Sequence, residues 1–358
     1  MKNVRLSGMF SALYIFFSLN SGAAPTKANL DLSLYGNAIE EASQSGRVAG
    51  GKIAGFLEHQ FSPSLISKLQ VDLKIETGAS QSNYIDEFAP KQAPKLREAT
   101  LNYLPFSYAS LSLGAINQNR LGLPLLISDQ TFVGAFERLS LPMDGAEIFI
   151  ELEQAVPTSS TQFSKLPSFF WGKLGTEVKP FSYLNLELHG GRFAFQDLGE
   201  AAANRSRFWG NSIDGIGNAQ SRFVYGYDVW ELGGKIEFPF RDFTPYASFQ
   251  WLTNTQAVSN QGFVSEIGSK VEASPSFLFN PRGQFFALAS DLVPAFYTSE
   301  KIGHCNRVGY SIAIDFMLPK EETRFSLSWV SSEPILNSSF QDSFRYLSIA
   351  VATSYRLL

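Results

Sequence analysis

Three histidines, one cysteine and a large set of carboxylates are the residues of this chain that could do chemistry. A hydrolytic site needs a nucleophile, a base within hydrogen-bond reach of it, and a third group that orients the base. His59 falls on the stripe of Ile53 and Leu57, and His189 follows Leu184, Leu186 and Leu188, so both read as side chains at the ends of apolar stripes. His304 and Cys305 lie together in the polar link "KIGHCNRV", with no further Cys or His at ligand spacing. A lone cysteine also rules out a disulfide framework. No glycine-rich phosphate cradle or metal-ligand cluster occurs. The expectation is no catalytic residue, no metal and no cofactor, with an enzyme kept as a minor reading.

The carboxylates are ordered rather than scattered. In "AEIFIELEQ", Glu147, Glu151 and Glu153 alternate with Ile148, Ile150 and Leu152; in "LQVDLKIET", Lys68, Gln70, Asp72, Lys74 and Glu76 alternate with Leu69, Val71, Leu73 and Ile75. "VWELGGKIEF" sets Glu231, Lys235 and Glu237 against Trp230, Leu232, Ile236 and Phe238, and "RVGYSIAIDF" sets Arg307, Ser311 and Asp315 against Val308, Tyr310, Ile312 and Ile314. A period of two is that of a strand with one apolar and one polar face. Faces so densely charged belong against water, and the opposite stripes begin or end in Tyr, Trp or Phe, as membrane-interface girdles do.

The connections sort into two classes that alternate along the chain. Short turns rich in Pro, Gly, Asp and Ser fall at 61–64, 105–108, 142–145, 179–182, 239–242, 280–283 and 319–322. Longer polar links fall at 38–48, 79–95, 117–131, 156–167, 197–225, 255–269, 294–306 and 333–343. Short turns on one side and long loops on the other are the pattern of an all-β transmembrane antiparallel β-barrel, and seven turns with eight loops make sixteen strands. If "KVEASPSFLF" and "QFFALASDLV" around "NPRG" are loop, the count is fourteen. A soluble β-sandwich is the competing architecture.

Composition agrees. The chain has 358 residues, 44% hydrophobic, too apolar for disorder, and after residue 23 no run approaches the roughly 18 apolar residues of a spanning helix. At the N-terminus, Lys2 and Arg5 precede the apolar run Met9 to Leu19 and then Ser21, Gly22 and Ala23, the order of a secretory signal peptide cleaved after Ala23. The expected organisation is a signal peptide at 1–23 and a single barrel domain at 24–358. A formal net charge of −4 argues against nucleic acid as a partner.

Two segments carry a family likeness. "LDLSLYGNA" at 30–38 is similar to the opening strand of Gram-negative outer-membrane porins, and "LREATLNYLPFSYASLSLGAINQ" at 96–118 resembles a hairpin of the sixteen-stranded general and phosphate-selective porins. The resemblance implies an outer-membrane location among lipid and lipopolysaccharide, insertion by the barrel-assembly machinery, small hydrophilic solutes as cargo, and a homotrimer as one assembly. It also implies that the loop after the fifth strand folds inward, which here carries over to 117–131 and makes Asn117, Gln118, Arg120 and Asp129 the constriction candidates.

The polar faces supply the pore-lining candidates: Lys68, Asp72, Lys74, Glu76, Glu147, Glu151, Glu153, Lys173, Glu177, Glu187, Glu231, Lys235 and Asp315. With Lys52, Glu58, Glu98, Glu237 and Arg307, also read as inward, acids outnumber bases two to one. The expected function is a water-filled channel for passive diffusion of ions and small polar solutes, with a weak preference for cations. The alternative is a non-conducting structural or surface-display barrel; an outer-membrane enzyme or a transporter of hydrophobic substrates follows behind.

Overall fold

The computed structural model describes residues 26–41, 44–82, 89–123, 125–127, 130–157, 166–217 and 219–358; residues 1–23, expected to be a signal peptide, and Asp129 lie outside them. The alternating segments are strands. In chain order they are β1 (Thr26–Glu41), β2 (Gln44–Ser62), β3 (Leu65–Ser82), β4 (Gln92–Phe106), β5 (Ala109–Asn117), β6 (Thr131–Met143), β7 (Ala146–Val156), β8 (Ser168–Phe181) and β9 (Leu184–Gln196). After helix α1 (Glu200–Phe208) and the two-residue strands β10 (Ile213–Asp214) and β11 (Arg222–Phe223) come β12 (Tyr227–Glu237), β13 (Phe243–Asn254), β14 (Gln261–Ser274), β15 (Phe277–Leu288), β16 (Arg307–Leu318), β17 (Thr323–Pro334) and β18 (Phe344–Arg356).

Sixteen of these strands, all but β10 and β11, form one closed antiparallel barrel in sequence order, with β18 returning to β1 through pairs such as Leu34 with Val351. Closure pairs every edge, which is what a sheet in lipid requires. No helix among the described residues is long and apolar enough to cross a membrane. Ile150, Ile312 and Ile349 stand outward and about half exposed, while Asp72, Glu151 and Asp315 on the opposite parity point inward and are buried. Two of the tight turns share the sequence Pro-Phe-Ser-Tyr, and in each the rings stack across the turn: Phe106 on Tyr108 and Phe181 on Tyr183, both at 5.2 Å.

Several expected links move. The link expected at 38–48 is strand up to Glu41 and again from Gln44, and that expected at 79–95 is strand up to Ser82 and again from Gln92, because β1, β2 and β3 run for 16, 19 and 18 residues, well beyond the roughly ten that span a bilayer. Polar residues there belong to barrel wall standing above the apolar band. The link at 255–269 shrinks for the same reason, since β14 begins at Gln261 and its inward residues Glu266 and Lys270 are polar. The turn expected at "NPRG" lies inside β15, and the chain reverses instead at 275–276. Pro281 is accommodated because the β14–β15 register has no pairs between Gly268–Arg282 and Val271–Phe279, so its missing N–H leaves no ladder bond broken there. Both halves of this hairpin are strands, so the count is sixteen and not fourteen.

Candidate functional site

The inward wall carries ladders of paired charge. Asp72 on β3 receives Arg97 Nε at 2.5 Å and has Lys52 Nζ at 3.7 Å, and Lys68 lies 3.8 Å from Glu58. Lys74 pairs with Glu76, whose carboxylate also accepts the Tyr35 hydroxyl and the Lys91 backbone N–H, each at 2.8 Å. On the next panel Arg138 of β6 bridges Glu151 at 2.7 Å and Glu147 at 3.0 Å on β7. Lys173 of β8 lies 4.0 Å from Glu187 on β9, and Glu177 sits in register between Glu147 and Glu187. Lys235 and Lys270 share Glu237, and Asp315 of β16 accepts from Arg282, Arg324 and the Ser326 hydroxyl.

Every pore-lining candidate read from the sequence is therefore placed on the inward parity, but the wall holds cations that the parity count omitted: Arg97, Arg138, Arg282 and Arg324. Arg97 is hidden by a bulge. The register steps from Gln70–Glu98 to Val71–Leu96, skipping Arg97, so Arg97 and Glu98 both turn toward the lumen although they are neighbours in sequence. His189 is a correction of side. It lies one residue out of phase with Leu188 and faces the lumen, with Nε2 3.1 Å from Glu231 and Nδ1 3.2 Å from Glu187. His59 holds its expected place at the end of β2, edge-on to Phe61 and 2.9 Å from the Thr26 hydroxyl.

A second regularity runs around the wall. Tyr35, Phe149, His189 and Tyr246 each lie flat over an inward glycine on the neighbouring strand: Gly50, Gly175, Gly233 and Gly268, where any Cβ would meet the ring. Cations settle on three of these rings: Lys74 at 5.5 Å from Tyr35, Arg138 at 4.9 Å from Phe149 and Lys235 at 5.3 Å from Tyr246. From β7 through β8 and β9 to β12 the sequence of inward groups is ring, gap, ring, gap.

The loop after β5 crosses this space. The Asn117 side chain caps a single 3-10 turn, Gln118–Leu121, by accepting the Asn119 N–H at 3.1 Å, and the buried Gln118 amide donates to Glu153 at 2.6 Å. Arg120 projects from the turn over the Phe136 ring, 3.5 Å from its centroid, with burial pulling its guanidinium below its ordinary pKa and Glu153 opposing that shift. On the far wall, Gln250 of β13 donates to Gly122 O at 2.8 Å. Beneath the loop is a cavity of about 500 Å³, lined by Lys173, Glu187, His189, Lys235, Glu266, Lys270, Arg282 and several amides and hydroxyls. His304 stacks on Trp209 at 4.4 Å, and Cys305 is fully buried, its thiol pushed up to about 12 by that burial. Neither is placed to attack a solute. Among the described residues no group of His, Cys, Asp and Glu is arranged to hold a metal ion.

No family model matches the chain, and no curated protein is similar to it in sequence. Solved structures are similar in fold. Pseudomonas putida OprB superposes with a TM-score of 0.60 at 9% identity, covering 98% of this chain and 97% of that one. A loop-deletion mutant of OmpT, an outer membrane protein of Vibrio cholerae, gives 0.57 at 9% identity over 93% and 100%, and Acinetobacter baumannii OccAB1 gives 0.53 at 9% over 93% and 97%. The chain has the sixteen-stranded barrel fold of the Gram-negative outer-membrane porins.

Proposed function

We propose that this protein is an outer-membrane porin, a water-filled route by which ions and small polar solutes diffuse passively. The observation that carries this is the inward wall: charged side chains placed around a cavity of about 500 Å³. Charge is retained in a barrel interior where it meets water. In this reading residues 1–23 are a signal peptide removed on export, the long-loop end faces outward, and lipid with lipopolysaccharide surrounds the apolar belt. A homotrimer is compatible with it. The buried thiol and the lumenal histidine, already held by two carboxylates, favour a channel over an enzyme.

The preference for cations is expected to be slight. Arg97, Arg138, Arg282 and Arg324 each face an acid and offset much of the excess read from the sequence. Screening over about 8 Å at physiological salt weakens the remainder. In a planar bilayer with a potassium chloride gradient, the reversal potential should take the cation-selective sign, stay small, and grow as both solutions are diluted. A strongly anion-selective potential would refute the cation preference, and absence of conductance would favour the non-conducting barrel.

A narrower prediction concerns the rings. Gly175→Val should push the Phe149 ring off the wall into the lumen and lower single-channel conductance, whereas Gly283→Val, on the outward face between Ile267 and Ile312 and without a ring over it, should leave conductance unchanged.

A further inference from the structure

At the long-loop end, loop and wall share one apolar core. Phe132 on β6, Phe169 on β8, and Phe193 and Phe195 on β9 point inward and are buried. Tyr297, from the link 289–306, stacks on Phe195 at 5.1 Å and meets Phe132 edge-on at 5.4 Å. This layer separates two cavities. One is the lumenal space already described; the other, also about 500 Å³, opens between Asp197, Glu200, Arg222 and Tyr225. The strands β9 and β12 line both, through His189 and Lys235 below and Phe195 and Tyr227 above. Between them on the same inward faces stand Phe193 and Val229, both with no exposed surface. From His189 to Phe195 is about 20 Å along the strand.

What holds the layer shut is a small set of polar rivets. The Asp291 carboxylate accepts the Ser212 N–H at 2.8 Å and the Ser212 hydroxyl at 2.7 Å. The Asn211 amide donates to Val293 O at 3.0 Å and accepts from Ala295 N at 2.7 Å. Asn254, at the top of β13, donates to Asp291 O at 2.7 Å, tying the pair of loops to the wall. These bonds join segments far apart in sequence, and no covalent link reinforces them, because the one cysteine is free.

Building on the porin reading, we propose that this apolar layer is a gate. Closed, it breaks the water column between the outer cavity and the lumen, as apolar constrictions do in channels. It opens when the link 289–306, riveted to the end of α1, lifts from Phe132 and Phe195. The barrel itself does not move.

The test is single-channel recording on full-length mature protein, with heat-modifiable migration confirming that each variant is a folded barrel. Asn211→Ala combined with Asp291→Ala removes rivets and should raise open probability about tenfold. Phe193→Asn hydrates the layer without touching the rivets and should raise current through the closed state. Steady conductance identical in wild type, rivet and Phe193 variants would overturn the gate while leaving the porin standing. No conductance in any variant, including those that open the layer, would overturn both.

Discussion

Replacing Arg307 by alanine is expected to lower the unfolding free energy by about 3–5 kcal/mol, the range for stripping one partner from a buried ion pair. Arg307 opens β16, and its guanidinium donates to the Glu41 carboxylate at the end of β1, to Asp342 O, and to Gly303 O at 3.3 Å. The side chains of Arg307 and Glu41 are only 1% and 2% exposed, so neither charge can turn to solvent when the other is removed. Without Arg307, Glu41 keeps the Asp342 N–H at 3.1 Å and the Gln44 side-chain amide at 2.7 Å, both neutral donors that leave its charge uncompensated. Urea titration of the protein refolded into lipid vesicles, followed by tryptophan fluorescence, measures the loss. The pair Glu41→Gln with Arg307→Met removes both charges and should recover most of it; an equal loss would mean that packing of the long side chain, and not the charge, was what mattered.

Ile150→Arg and Ile312→Arg should each cost about 2–4 kcal/mol, because a cation would be held at the apolar belt near mid-bilayer. These isoleucines stand 44% and 50% exposed on the outer face, where only lipid can cover them. Gln70→Lys and Ser311→Lys, on the inward parity of the same barrel, should be far milder under the same urea titration. Equal damage from both sets would contradict the assignment of faces.

The faces were legible because lipid on one side and charge on the other force alternation, which β3 keeps from Lys68 to Glu76 and which β7, β12 and β16 keep over much of their length, with Phe149 and Val229 among the apolar exceptions on the inward side. Parity failed where the wall bends or its chemistry changes. Arg97 sits in a bulge, which no pattern of period two can contain. Arg138 shares its face with Phe132 and Phe136, so that face does not look polar, and the same mixture hid the inward aromatic residues of β8 and β9. Those rings are intelligible only once loops fill the upper barrel, a tertiary fact with no local signature. The rivets at Asn211, Asn254 and Asp291 were unreadable for the same reason, since each lies in or beside a polar link that composition alone describes as loop. Of the constriction candidates, Asn117, Gln118 and Arg120 come together at the turn after β5.

The rings laid over glycines bear on how the barrel comes to be the right barrel. A meander of neighbouring strands can slide by two residues without exchanging its inner and outer faces, so hydrophobic burial alone does not forbid the error. Phe149, His189 and Tyr246 would forbid it, because a two-residue slide sets each ring against a side chain where the correct pairing offers bare backbone: Phe149 would face Lys173 or Glu177 in place of Gly175. Each glycine thus acts as a notch and each ring as the pin that fits it. Carried from strand to strand during insertion, such notches let a chain whose inner surface is largely interchangeable charge count its way to the one alignment in which the last strand meets the first.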